Sequence, residues 1–292
     1  MTVRIRSALS ASRSEEIAGL AEAVADEYFP SGKIDPVAIA RTKEITLSFG
    51  HYENAFDGLL EYRGGRFHIF ANLDRIEKTD SPRARFTVGH ELGHYFIDEH
   101  RNALSTGRAL PHPSFSEYES DLLVEREADL FAANLLMPTG RFNQIAKREK
   151  TGLEGILKIR EQFGTSVTST AIRYATSDFV PCAVIKWNEE DFGWKWLSND
   201  TFGAGFRKTV ESIKDLPEDS PTARALAGER PPSQGFFEAG TTAAAWFRYV
   251  REYEARNVIF IEQAVPLGRF GVLTFLYPDT KTLSSNAGRN MY

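Results

Sequence analysis

Five residues, His90-Glu91-Leu92-Gly93-His94, are spaced for metal chemistry. On an α-helix, residues four apart lie on one face, a turn above each other. Two imidazoles placed that way can hold one metal ion, each through a ring nitrogen at about 2.0–2.1 Å for zinc. Glu91 follows the first histidine and points to the side of the pair, where it can reach water on the ion without being a ligand. Two ligands, one base and one short helix are the core of a zinc peptidase. The competing interpretation is a buried helix with two internally hydrogen-bonded histidines.

A second acidic pair weighs against that interpretation. Glu125 and Asp129 sit one turn apart among Leu122, Leu123, Ala128, Phe131, Ala132, Leu135 and Leu136. A buried carboxylate is costly unless it is paired or binds a metal. Glu125 can complete the site as third ligand, and Asp129 can accept a hydrogen bond from the far ring nitrogen of a histidine ligand, fixing its tautomer. Glu117, Glu119, Asp121 and Glu127 are acidic too, so an exposed acidic stripe is the alternative. Glu127 lies about 200° round the helix from Glu125, so both cannot face one ion, and Glu125 is the expected ligand.

These residues need elements to position them. Ser81-Pro82 supplies an N-cap and a proline at the first helical position, predicting a helix on to Ile97. Gly89 and Gly93 weaken that helix by about 0.8–1 kcal/mol each relative to alanine, which suggests that another element packs closely there. Upstream, residues 1–13 read as a loose arm, and Ser14 caps a helix over 15–29. Asp35-Pro36 starts a short helix to Arg41, and Ile45, Leu47 and Phe49 alternate as in a half-buried strand. Leu59 to Tyr62 and Arg66 to Ala71 flank Gly64-Gly65 and predict a hairpin. His51 and His68 read as solvated or strand-face residues. Residues 98–115 read as a loop over the cleft. Ser116-x-x-Glu119 has the form of a capping box for a helix running to Pro138.

Length and composition bound the rest. The 292 residues, 42% hydrophobic and 26% charged, suit a soluble globular protein of one large or a few small domains. The net charge of −5 argues against a dedicated nucleic-acid binder. Cys182 is the only cysteine, so no disulfide and no Cys-rich zinc module is expected. No apolar run suits a membrane span or a signal peptide, which predicts a cytoplasmic protein.

The stretches Arg85-Phe-Thr-Val-Gly-His-Glu-Leu-Gly-His94 and Glu125-Arg-Glu-Ala-Asp-Leu-Phe-Ala-Ala-Asn-Leu-Leu-Met-Pro138 resemble the ImmA/IrrE family of HExxH metallopeptidases over about residues 15–140. The resemblance implies a zincin-like core with His90, His94 and Glu125 as zinc ligands and Glu91 as catalytic acid/base. The Glu125 to Asp129 spacing is also similar to that of thermolysin-like enzymes, where the second carboxylate supports a histidine ligand. Characterised relatives cleave helix-turn-helix repressors, so the implied partner is a DNA-binding repressor serving as protein substrate. Two histidines and a carboxylate also accept manganese, iron or cobalt. The oxyanion needs a donor besides the metal, and Tyr118 and His112 are the candidates, though neither lies in the motifs that carry the resemblance.

The remaining half is read more coarsely. Helices from Thr139, from Thr151 to Phe163 and from Val167 to Ala175 resemble a helix-turn-helix unit. Over 141–176 seven basic residues face three acidic ones, a small excess, and a structural bundle is expected rather than direct DNA binding. Cys182 to Trp187, Trp194 to Leu197, Val258 to Glu262 and Gly271 to Tyr277 read as strands, Leu216 to Gly235 as a linker or loop, and Ser284 to Tyr292 as a disordered tail. The expected fold class is α+β, divided into a peptidase domain (1–140), a helical segment (141–178) and a C-terminal α+β domain for sensing or recognition (179–292). The alternative functions are a non-enzymatic regulator using the metallopeptidase fold as scaffold, and the toxin of a toxin–antitoxin pair.

Overall fold

A computed structural model of the chain describes residues 9–111, 113–114, 122–188, 191–199, 209–247 and 258–279. They form a mixed α+β structure with two sheets. The chain divides into two units, residues 1–144 with 160–166, and 145–159 with 167–292.

In the first unit, α1 (Ala11–Tyr28) begins one turn earlier than the Ser14 cap predicts. Ser10 is the cap, its hydroxyl accepting from the Arg13 N–H, and nothing in the next residues breaks the helix. Asp35 caps α2 (Pro36–Thr42). Then follow β1 (Thr46–Gly50), β2 (Gly58–Arg63), β3 (Arg66–Asn72) and the single turn α3 (Leu73–Ile76). The sheet order is β1-β3-β2, with β1 parallel and β2 antiparallel to β3. Gly64 and Gly65 turn the hairpin with φ of 61° and 78°, a pair of left-handed residues that only glycine adopts cheaply. His68 faces Thr46 and the Arg63 carbonyl, and exposed His51 pairs with Asp74 at 2.7 Å, so both serve the strands and loops.

Next come α4 (Pro82–Phe96), α5 (Asp98–Ser105) and α6 (Leu123–Leu136). α4 starts as Ser81-Pro82 predicts, with the Ser81 hydroxyl accepting from the Ala84 N–H at 3.0 Å. α5 corrects the expected loop. Asp98 and Glu99 favour its N-terminal turn, and His100 and Leu104, four apart, are its buried face. α6 follows an extended Leu122, while the capping-box pair Ser116 and Glu119 lies outside the described residues. Ile17, Ala21 and Val24 of α1, Leu60 and Ile69 of the sheet, Leu92 of α4, and Phe131 and Leu135 of α6 share one core.

α7 (Thr139–Ala146), α8 (Leu153–Phe163) and α9 (Val167–Thr176) follow as the sequence predicts. The second unit's sheet runs β5-β4-β8-β7-β6, antiparallel throughout, from β4 (Ala183–Trp187), β5 (Phe192–Leu197), β6 (Phe237–Thr242), β7 (Ile259–Pro266) and β8 (Val272–Pro278). Among the described residues it also holds two short α-helices, α10 (Pro221–Leu226) and α11 (Ala243–Trp246). The stretch expected as a linker therefore contains α10, started by Ser220-Pro221 in the same way as α4. Trp187, Trp246, Phe237 and Phe260 build the core. Glu262 is wholly buried there and accepts from the Thr222 N–H at 2.9 Å and the Trp246 Nε1–H at 2.8 Å. Burial raises its carboxyl above the ordinary range. The tail lies outside the described residues. Among the described residues no helix is long and apolar enough to cross a membrane.

Candidate metal centre

The site rests on the packing of α4 against α6, and Gly93 makes its closeness possible. A Cβ on Gly93 would lie 3.0 Å from the Ala128 Cα and 3.2 Å from its carbonyl oxygen, whereas one on Gly89 would meet the Ala132 Cβ at 3.5 Å. The close crossing presents Glu125 and Asp129 to the two histidines one turn apart on α4. All of His90, His94 and Glu125 are buried.

Their ligand atoms converge. His90 Nε2 and His94 Nε2 are 3.1 Å apart. Glu125 Oε2 lies 3.3 Å from His90 Nε2, and Glu125 Oε1 lies 3.2 Å from His94 Nε2. A tetrahedral ion about 2.0–2.1 Å from each ligand separates its ligand atoms by about 3.3–3.4 Å, close to these separations, with one Glu125 oxygen facing each histidine. Burial pulls the His90 imidazole down, but hydrogen bonds with Asp129 and Glu125 carry it well above its usual value. Burial pushes His94 down to about 3.

The other ring nitrogens are also engaged. Asp129 Oδ1 lies 2.8 Å from His90 Nδ1, the partnership its helical spacing predicts. His94 Nδ1 lies 3.1 Å from His100 Nδ1 on α5, and His100 Nε2 lies 2.9 Å from Glu127 Oε2. Arg13 of α1 donates to both oxygens of Glu127, from Nε at 2.9 Å and from Nη2 at 3.0 Å. Burial would raise the Glu127 carboxyl, but Arg13 and His100 hold it below the ordinary carboxylate range. Glu127 thus turns away from the triangle, as the helical wheel requires. The sequence reasoning missed His100, which sits in a short helix it took for a loop.

Glu91 is almost wholly buried. Its carboxylate lies against the start of β2, where a Cβ on Gly58 would come within 2.5 Å of Glu91 Oε1 and 2.7 Å of the Thr87 methyl. Gly58 is pinned on two sides. Ser114, in the stretch expected to cover the cleft, donates its N–H to the Gly58 carbonyl at 3.0 Å. The preceding Asp57, fully buried, receives Arg75 Nε at 2.6 Å and Arg83 Nη2 at 2.8 Å. His112 and Tyr118, the expected oxyanion donors, lie outside the described residues.

Comparison with known proteins agrees with this geometry. Residues 76–174 match the Peptidase_M78 family model, described as an IrrE N-terminal-like domain, so the chain is ImmA/IrrE metallopeptidase-like over that span. Among curated proteins, none matches the chain. Among solved structures, the chain is similar to a Mycobacterium tuberculosis transcriptional regulator, with a TM-score of 0.57 and 13% identity over 96% of this chain and 94% of that one. At that identity the likeness speaks for the fold alone.

Proposed function

We propose that the chain is a zinc-dependent endopeptidase of narrow specificity, with His90, His94 and Glu125 as metal ligands, Asp129 orienting His90, and Glu91 as general base and acid. The observation that carries the reading is the buried triangle of two imidazoles and a carboxylate, with a spacing that suits a tetrahedral cation, beside a second buried carboxylate. A divalent ion held there supplies Lewis acidity, lowering the pKa of water and polarising a carbonyl oxygen. Glu91 accepts a proton from the water that adds to the scissile carbonyl carbon, then delivers it to the leaving nitrogen as the C–N bond breaks. Gly58 holds the base in place by leaving room for its carboxylate. Tyr118 and His112 remain the proposed donors to the oxyanion.

By family resemblance the substrate is a helix-turn-helix repressor in the cytoplasm, and the modules are 1–140 for catalysis, 141–178 for a helical segment and 179–292 for sensing or recognition. A second reading, a non-enzymatic regulator built on the same fold, draws support from the Mycobacterium tuberculosis transcriptional regulator to which the chain is similar in fold.

Elemental analysis and peptide hydrolysis separate the two readings. The expected result is about one zinc per chain, lost in Glu125→Gln and retained, though more weakly held, in Glu127→Gln when zinc is in excess. Glu91→Gln should keep the metal and lose hydrolysis of the repressor by at least about 10²-fold. A Glu91→Gln protein that still cleaves would remove the assigned base. A wild-type chain that takes up no zinc would leave the regulator.

A further inference from the structure

We propose that His100 is a positioning residue for the metal ligand His94, held in the necessary tautomer by Glu127 and Arg13. The inference rests on the metal-centre reading above. It concerns the Nδ1 side of His94, which faces His100.

His94 Nε2 faces His90 Nε2 and Glu125 Oε1, so it must present a lone pair to the ion. A neutral imidazole then carries its proton on Nδ1. That nitrogen lies 3.1 Å from His100 Nδ1, which must therefore be the acceptor. His100 in turn carries its proton on Nε2, which points at Glu127 Oε2 from 2.9 Å. Each link dictates the next. The other His100 tautomer would set two N–H groups head to head against His94 and a lone pair against a carboxylate.

Arg13 closes the chain. Its two bonds to Glu127 occupy the carboxylate from the solvent side, and Glu16 at 3.0 Å and Glu99 at 3.3 Å hold the guanidinium in place. His94 and His100 are both buried, so solvent does not compete for the bond between them. The two ligands are thus held differently. His90 has an anion one hydrogen bond away, and His94 has an imidazole in between, so His100 transmits orientation from the Glu127 carboxylate. The first turn of α1 becomes part of the support of the metal.

The test is zinc affinity of the full chain, by competition with a chromogenic chelator, beside proton NMR of the cobalt-substituted protein. His100→Leu removes the acceptor and should weaken zinc binding about 10–100-fold, the usual effect of losing such a partner. His100→Asn returns a carbonyl oxygen near the place of Nδ1 and should restore most of that affinity. In the cobalt form, wild type should show two slowly exchanging, shifted ring N–H protons, from His90 and His94. One should be lost in His100→Leu and kept in His100→Asn. If His100→Leu does not fold, Glu127→Gln decides, because its amide can turn an N–H toward His100 and disfavour the required tautomer, so zinc affinity should drop. Affinity within about twofold of wild type and both N–H signals intact, in His100→Leu or its substitute, would overturn the proposal while leaving the metal site standing. A wild type that binds no zinc would overturn both.

Discussion

At Glu91 the constraint is steric as well as chemical. The carboxylate that would move protons fills the space a side chain at position 58 would need, since a Cβ there would stand 2.5 Å from Oε1. The three atoms nearest that Cβ all belong to side chains, so Gly58→Ala can be absorbed by turning Glu91 and Thr87 aside, without moving backbone. The fold and the metal should survive, and the base should not keep its position. We expect Gly58→Ala to bind zinc like wild type while kcat falls about 10²-fold, the usual cost of roughly 1 Å of misplacement, with KM little changed. Loss of zinc together with activity would instead place the damage in the ligand set. Much of the site was legible in the residues, because His90, His94, Glu125 and Asp129 all fall at spacings of four on two helices. Gly58 and His100 were not. A glycine at a strand start and a histidine six residues beyond His94 carry no periodic signal, and only the assembled fold brings them to Glu91 and His94.

At the scale of elements, the contact between α4 and α6 decides whether the two halves of the site meet. Its two glycines are not equivalent. At Gly93 a methyl would press on the Ala128 backbone, which cannot give without shifting α6, while at Gly89 it would make an ordinary contact with Ala132. Alanine gains about 0.8–1 kcal/mol over glycine in a helix interior, and overpacking a core costs about 1–3 kcal/mol. Gly89→Ala should therefore be neutral or raise the melting temperature. Gly93→Ala should lower it and also weaken zinc binding, because Glu125 and Asp129 travel with α6. Thermal unfolding with and without zinc checks both, and equal behaviour of the two variants would remove the close-crossing argument. Elements with a local start signal, such as the Ser81-Pro82 helix and the Gly64-Gly65 hairpin, were predictable from sequence. α5 has no side-chain cap, and β6, with Glu238 and Gly240 and half of its residues exposed, is a strand only because β7 pairs with it. α10 carried the same Ser-Pro signal as α4 and was masked by its Pro-rich, charged surroundings.

For the whole molecule the open question is whether the chain acts on a DNA-bound partner or on DNA itself. The net charge of −5 sets a repulsive background for a polyanion. The helices α8 and α9, with Gly164 at φ 66° between them, have the sequence layout of a DNA-reading unit, and their surroundings hold the local basic excess. Three of these basic residues are paired within the protein. Lys158 pairs with Glu154 at 3.1 Å and with Glu149 at 3.8 Å, Lys150 pairs with Glu154 at 3.0 Å, and Arg141 holds Asp26 at 2.5 Å. Binding phosphates would require breaking these pairs, although the exposed ones among them are weak. A chain that neutralised six or more phosphates would lose about 10³-fold or more in affinity between 50 and 200 mM salt. We expect the full chain to give no mobility shift with duplex DNA at 150 mM salt, and to alter such a shift only by cleaving the repressor that produces it. A shift by the chain alone that falls steeply with salt and persists in Glu91→Gln would reverse this assignment, making DNA binding the function and the metal centre its support.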